Sequence, residues 1–322
     1  MSAAADSSAA QAVPIARPIG RRVLYHADDL GATPSITHRL LDSWERGLVD
    51  GVSVFGCCDH AEEITDRLQS RPDRPARVAV HLNICEGRPL TPMTRISHLT
   101  DRHGYFNADF AGILNRYYLG ATKRQRQAIV SEIEREWRAQ IENVFRMIGG
   151  RPVHAVDGHR HVHMVPFLFR LAVQLAKDYG IPEIRNVREP FHLSANMREW
   201  SSKRFLVNCI KRETLFRLAK ANAALADCAG VASPDRVVGV LYSGMMSRAN
   251  ITSGILAARR QRARTIEVLV HVGRANLSEL QRWNGKAKKA AFAMSSWRDL
   301  EFAEVLRVRG RRLAGSADRR TL

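Results

Sequence analysis

Arg22-Val23-Leu24-Tyr25-His26-Ala27-Asp28-Asp29-Leu30-Gly31 is the stretch on which the reading of the fold turns. Its first six residues form a short strand candidate, which stops at two adjacent carboxylates and a glycine. An amphipathic helix follows, with Ile36, Leu40, Leu41, Trp44 and Leu48 at helical spacing. The unit then repeats. Gly51–Phe55 reads as the next strand, about residues 60–70 as a helix, and Arg77–Leu82 as another strand. Ile129, Ile133, Trp137, Ile141 and Phe145 recur every four residues along one long helix. Val153–Val156 is a strand; Phe167, Leu168, Leu171 and Leu175, after Pro166, mark a helix ending near Gly180; Ile184–Val187 and Thr265–His271 are two later strands. Strands and helices alternating at these lengths predict a parallel sheet, open or closed into a barrel.

Ligand-type residues fall at the carboxyl ends of several of these strands: Asp28 and Asp29, His81, His159 and His271. In a β/α barrel those ends converge on one face, so distant segments become neighbours around one site. The densest piece is Asp157-Gly158-His159-Arg160-His161-Val162-His163, which places three of the twelve histidines within five residues. Neutral imidazole is the commonest protein ligand for a transition metal. If this segment is extended, His159, His161 and His163 share a face; if a strand end runs into a loop here, fewer of them reach one ion. Each piece also has a plainer reading. The Asp pair suits the cap of the helix that begins near Thr33-Pro34. His81 suits a hydrogen-bonded core histidine, His271 before Gly273 is equally ambiguous, and the cluster suits a polar strand end. What argues for one site is that all of them fall at strand ends.

Composition sets the outer bounds. The 322 residues, 45% of them hydrophobic, suffice for one large α/β domain or for two domains. No apolar run approaches the ~18–20 residues of a membrane helix. Residues 1–20 lack the apolar core of a secretory signal and read as a disordered leader, which makes the protein cytoplasmic. Five cysteines, with no Cys-x-x-Cys spacing, read as reduced thiols. The net charge of +18 is compatible with nucleic acid, acidic polysaccharide or an anionic lipid surface. Yet the basic residues are mostly arginine and are scattered apart from Arg259-Arg260, Lys286–Lys289 and Arg307–Arg312, and no nucleic-acid motif accompanies them. No nucleic-acid partner is expected. Residues 191–264 read as a helical insertion around Phe205, Leu206, Ile210, Leu215, Phe216 and Leu218, with a turn at Ser243-Gly244. The tail 313–322 reads as disordered, leaving 21–312 as a single domain.

Five blocks together resemble one family. His26-Ala27-Asp28-Asp29-Leu30-Gly31 is similar to the Asn-Ala-Asp-Asp-Phe-Gly opening of the YdjC-like carbohydrate deacetylases, the ChbG/HpnK family. The segment His81 to Leu90 resembles its His-Leu-x-x-x-Glu-Gly-x-Pro block, and Asp157 to His163 its Asp-Ser-His-His-His-Val-His block. Ile184 to Glu189 and Glu267 to Gly273 resemble the two blocks that follow, in the family's order. The departures are His26 for Asn, Leu30 for Phe, Arg160 within the histidines, and Val272 for Pro. The resemblance implies a TIM-like (β/α) barrel, in a seven-stranded, distorted form if not a full one, with its active site at the strands' carboxyl ends. It also implies one divalent metal ion and removal of an acetyl group from an N-acetylated amino sugar. Carried over, Asp29, His81 and His159 are the metal ligands, Asp28 the general base and His271 the acid. His161, His163, Arg160, Glu86 and Arg188 support the ligands or line the substrate groove, and Arg160 with His26 favours an anionic sugar. Two imidazoles and a carboxylate suit Zn, Co or Ni, while Mg prefers oxygen-rich sites. Two rival readings are another metal-dependent amidohydrolase, suggested by His159-x-His161, and a non-enzymatic basic binding protein. A homodimer is compatible with all of these.

Overall fold

Each of the seven strands runs parallel to its neighbours. They are β1 (Arg22–Leu30), β2 (Gly51–Val54), β3 (Arg77–Leu82), β4 (Val153–Gly158), β5 (Glu183–Ile184), β6 (Arg236–Val238) and β7 (Thr265–Val270), in the spatial order β5-β4-β3-β2-β1-β7-β6. The computed structural model describes residues 22–71, 77–284 and 292–317. The expected leader, the Lys286–Lys289 cluster and residues 318–322 lie outside the described residues. Among the described residues β5 and β6 form no ladder; a bridge from Glu183 to Ala232, ahead of β6, and a bond from the Val237 N–H to the Arg188 carbonyl span the seam. The sheet is therefore a curled half-barrel, an α/β barrel-like fold as the sequence predicts, and its strands are buried on both faces as parallel sheets require.

Helices cover the outside: α1 (Pro34–Glu45), α2 (Ala61–Gln69), α3 (Phe110–Tyr118), α4 (Lys123–Met147), α5 (Pro166–Asp178), α6 (Lys203–Ala229), α7 (Arg248–Arg260), α8 (Leu277–Asn284) and α9 (Trp297–Ala317). Helix α4 buries Ile129, Ile133, Trp137, Ile141 and Val144 along one stripe. It lies so close to the end of β2 that a Cβ on Gly56 would sit 2.4 Å from the Gln140 carbonyl oxygen. Helix α1 is capped by Thr33, whose hydroxyl accepts from the Ile36 N–H, with Pro34 in the first turn. That cap leaves Asp28 and Asp29 free for other partners.

Three expectations change, and one open alternative is decided. Strand β1 does not stop at Ala27 but continues to Leu30, with a register shift against β2 between Ala27 and Leu30 and with Asp29 at φ 76°. In a regular strand adjacent side chains face opposite ways; this irregularity re-aims one of them, and both carboxylates reach the same cavity. The histidine cluster is not extended. Residues 159–164 form a 3-10 turn in which Arg160 and His161 are left-handed, at φ 53° and 58°, so the three histidines splay apart. The 191–264 segment is not wholly helical, since it supplies β6, three residues between Asp235 and Gly239 that are too short for a periodic signal. The tail from 313 is helical as far as Ala317, because α9 packs Val305, Phe302 and Leu306 onto the core and continues beyond them.

Candidate metal centre

Three strand ends deliver the centre. Asp29 from β1, His81 from β3 and His159 just after β4 bring ligand atoms within 4.8 Å of one another. Asp29 Oδ1 lies 3.2 Å from His159 Nδ1 and 3.6 Å from His81 Nε2. The outer atom of each ligand faces a further residue. His81 Nδ1 meets Asp157 Oδ1 at 2.6 Å, which fixes the ring with a proton on Nδ1 and Nε2 turned inward. Asp29 Oδ2 accepts from Arg298 Nη1 at 2.9 Å, leaving Oδ1 for the centre. His159 Nε2 is 3.4 Å from Glu86 Oε2, and Glu86 is in turn paired with Arg160. Such backing orients metal ligands and raises their basicity.

The electrostatics ask for positive charge at this point. Burial would raise the Asp29 carboxyl, but hydrogen bonds from His159 and His81 and the Arg298 charge hold it well below the usual carboxylate range. Burial would likewise depress the His81 imidazolium, but Asp157, Asp29 and Asp28 together pull it up to about 10. The buried carboxylates thus retain protons on the facing imidazoles, the place a divalent cation would take. With an Asp-His-His donor set, the outer atoms of Asp29 and His81 hydrogen-bonded and that of His159 facing Glu86, the residues fit such an ion.

A second group, His26, Asp28 and Asp157, is equally close, but it already contains its cation. The buried Arg185 guanidinium forks onto Asp28, with Nη1 to Oδ2 at 2.8 Å and Nη2 to Oδ1 at 2.9 Å. It also reaches Asp157 Oδ2 at 2.7 Å and Glu267 Oε1 at 2.8 Å. Ser53 Oγ lies 2.5 Å from Asp157 Oδ2 and 3.2 Å from Asp28 Oδ1, and 2.8 Å from His26 Nε2. One hydroxyl carries one proton, so the shorter contact takes it and Asp28 relies on Arg185. Burial would raise the Asp28 carboxyl, yet the guanidinium keeps it below its ordinary value and ionised.

Asp29, His81 and His159, with Asp28 of the second group, open onto one cavity of about 770 Å³. His271 lines it from the end of β7; its backbone N–H donates to Glu301 Oε2 at 2.8 Å, and its ring Nδ1 is 3.7 Å from the same oxygen. Phe55 stands edge-on to His81, His159 and Trp283, forming an apolar wall. His161 also lines the cavity, and burial followed by the Lys211 charge holds its imidazole neutral, well below its ordinary value. Arg160 and Glu86 lie at the rim as an ion pair. His163 faces away: its Nε2 donates to the Arg185 carbonyl at 2.7 Å, bracing the residue that pairs with Asp28. A Cβ on Gly158 would lie 2.7 Å from His163 Nδ1, so the ring's tuck needs glycine there.

Arg188, expected at the site, is not brought to it. It lines a second cavity of about 490 Å³ with Arg22, Arg77 and Arg264. The chain turns directly after the two residues of β5, and Arg185 is the arginine that enters the centre. Sequence reasoning also missed the roles of Asp157, Ser53, Glu267, Arg298 and Glu301. A charged Glu267 inside an apolar strand is a local signal; Arg298, 269 positions from Asp29, has none.

His163 gives a pH prediction. Burial pushes its imidazole down to about 4 from an ordinary 6.5. Above pH 6.5 neither the folded nor the unfolded chain is protonated there, so the group adds nothing. As pH falls below 6.5 the unfolded chain takes up a proton that the folded chain refuses, and stability drops until about pH 4. That gap corresponds to about 3 kcal/mol. Denaturation midpoints should therefore fall more steeply between pH 7 and 4.5 for the wild type than for His163→Asn; equal slopes would refute this.

A parallel half-barrel with an Asp-His-His cluster of ligand-type residues beside an arginine-held carboxylate is the class the fold and site define. The chain belongs to the YdjC-like family, whose model matches residues 22–307. It is 28% identical over 187 residues to a carbohydrate deacetylase of Danio rerio, covering 56% of each chain. To a chitooligosaccharide deacetylase of Yersinia enterocolitica it is 27% identical over 160 residues, covering 50% of this chain and 57% of that one. These matches thus span little more than half the relatives' lengths. A crystal structure of a candidate cellobiose-phosphate cleavage protein from Enterococcus faecalis shares the fold, with TM-score 0.57 and 20% identity over 91% of this chain and 96% of that one. No helix among the described residues is long and apolar enough to cross a membrane, and all five cysteines are free, Cys228 being exposed.

Proposed function

We propose that the chain is a divalent-metal-dependent N-deacetylase acting on an N-acetylated amino sugar. The observation that carries this reading is the meeting of Asp29, His81 and His159, each backed by a further partner, with Asp28 and His271 in one cavity. The names of the relatives, carbohydrate and chitooligosaccharide deacetylase, agree with it. Asp29, His81 and His159 hold the ion, which when bound would polarise the acetyl carbonyl and acidify a water. Zn, Co or Ni suits this donor set better than Mg.

The chain's own residues supply the rest. Arg185 keeps Asp28 ionised and fixed in orientation, and a carboxylate has lone pairs to spare beyond the two that accept from the fork. Asp28 therefore takes a proton from the attacking water. His271, whose ring faces the cavity, donates a proton to the nitrogen as the C–N bond breaks. Water is consumed, and acetate and a free amino sugar are released. Phe55 and Trp283 offer faces on which a sugar ring packs and water is excluded.

The test is acetate release from a panel of N-acetylated glucosamine oligosaccharides and glycolipids, with matching appearance of free amine. The expected result is equal acetate and amine from at least one substrate, abolished by chelation and restored by added metal. Release that persists unchanged after complete chelation would falsify the metal-dependent reading.

A further inference from the structure

A cluster of exposed apolar side chains stands where the polypeptide enters α6. Ile210 is 71% exposed, Val207 63% and Leu206 56%, all within the first two turns of the helix. Residues 206 and 210, and 207 and 210, are spaced four and three apart, so the three side chains share one face. Met197, 69% exposed, and Phe191, 54%, lie in the preceding segment. Arg212 on α6 donates to the Glu189 carbonyl and Ser202 caps the helix start, so residues 190–201 leave and rejoin the same helix, held meanwhile on α7 by His192 to Ser253 and Asn250 to Glu199. A single large apolar side chain on a surface is ordinary; a contiguous group marks an interaction site.

Charge indicates what covers it. Arg198 and Lys203 adjoin the patch in the chain, are both exposed, and form no ion pair with a carboxylate among the described residues. The one acid between 203 and 220, Glu213, is already paired with Arg212 and Arg217. Two copies of this chain meeting through the patch about a two-fold axis would oppose like charges, whereas an anionic surface would be attracted. The neighbouring face of the same turns, bearing Arg204, Asn208 and Lys211, lines the catalytic cavity. The patch therefore lies at the cavity's edge.

We propose that this α6 surface docks on an anionic lipid bilayer, with Leu206, Val207, Ile210, Met197 and Phe191 entering the interface and the flanking cations meeting lipid headgroups. The chain is then a peripheral membrane protein whose cavity opens next to the bilayer. The docking is independent of the deacetylase reading, since neither needs the other to be true.

The test is sedimentation of the full-length chain with vesicles of phosphatidylcholine, with and without about one-third phosphatidylglycerol. The expected result is binding to the anionic vesicles only, weakened by salt as screened charge requires. Leu206→Glu with Ile210→Glu should lower the bound fraction at least about tenfold, while acetate release from a soluble substrate stays at its wild-type rate. Ile210→Ser, a milder change, should lower binding several-fold even if the double variant fails to fold. Wild-type protein remaining in the supernatant would overturn the proposal. So would variants that pellet as well as wild type, or a solution dimer that these substitutions dissociate.

Discussion

Arg185→Met is expected to destabilise the fold by about 3–5 kcal/mol, the loss seen when one partner of a buried ion pair is removed. The guanidinium is fully enclosed and is the common partner of Asp28, Asp157 and Glu267. Without it three buried carboxylates face one another with no compensating charge, and at least one must take up a proton. Protonated Asp28 cannot act as a base, so any folded fraction should turn over far more slowly. Arg185→Lys should restore part of the stability, because the charge returns, but little of the turnover, because a point ammonium cannot fork onto both Asp28 oxygens. Chemical denaturation of the three proteins checks this. A Met variant within about 1 kcal/mol of wild type would mean that Arg185 is not the keystone of the buried charges.

His159→Ala should have the second large effect, of a different kind. His159 sits on the loop after β4, partly open to the cavity, so its removal leaves the strands packed and the fold intact. The ion loses one of three ligands, and affinity should fall by more than about a hundredfold, beyond the 10–100-fold typical of an outer-shell change. Acetate release should fall by about a thousandfold at limiting metal. Glu86→Gln, which removes the charge facing the outer nitrogen of His159 and paired with Arg160, should give the smaller 10–100-fold loss in affinity. Metal titration followed by calorimetry distinguishes the two. Equal affinities for wild type and His159→Ala would remove His159 from the centre.

Much of this arrangement was legible in the residues. β1, β2, β3, β4 and β7 carry long enough apolar runs for their existence to be read, and the rule that strand ends converge brings Asp29, His81 and His159 together. β6 was not legible, because three residues show no period and only its pairing with β7 makes it a strand. The histidine cluster was read as two alternatives, and the left-handed backbone at Arg160 and His161, which no pattern announces, decides between them. Arg185 and Arg188 are indistinguishable by pattern; the turn after β5 sends only the first inward. Arg298 and Glu301 reach the site from α9, and nothing near Asp29 or His271 in sequence foretells a partner so distant.

In the proposed mechanism adjacent aspartates divide the labour, Asp29 holding the ion and Asp28 moving the proton. That division is tested most directly by measuring bound metal in purified Asp28→Asn alongside its acetate release. The account predicts about one ion per chain, as in wild type, with turnover reduced by about 10²–10⁴, the usual contribution of a general base. Loss of the metal from Asp28→Asn, or full turnover with the metal retained, would contradict it.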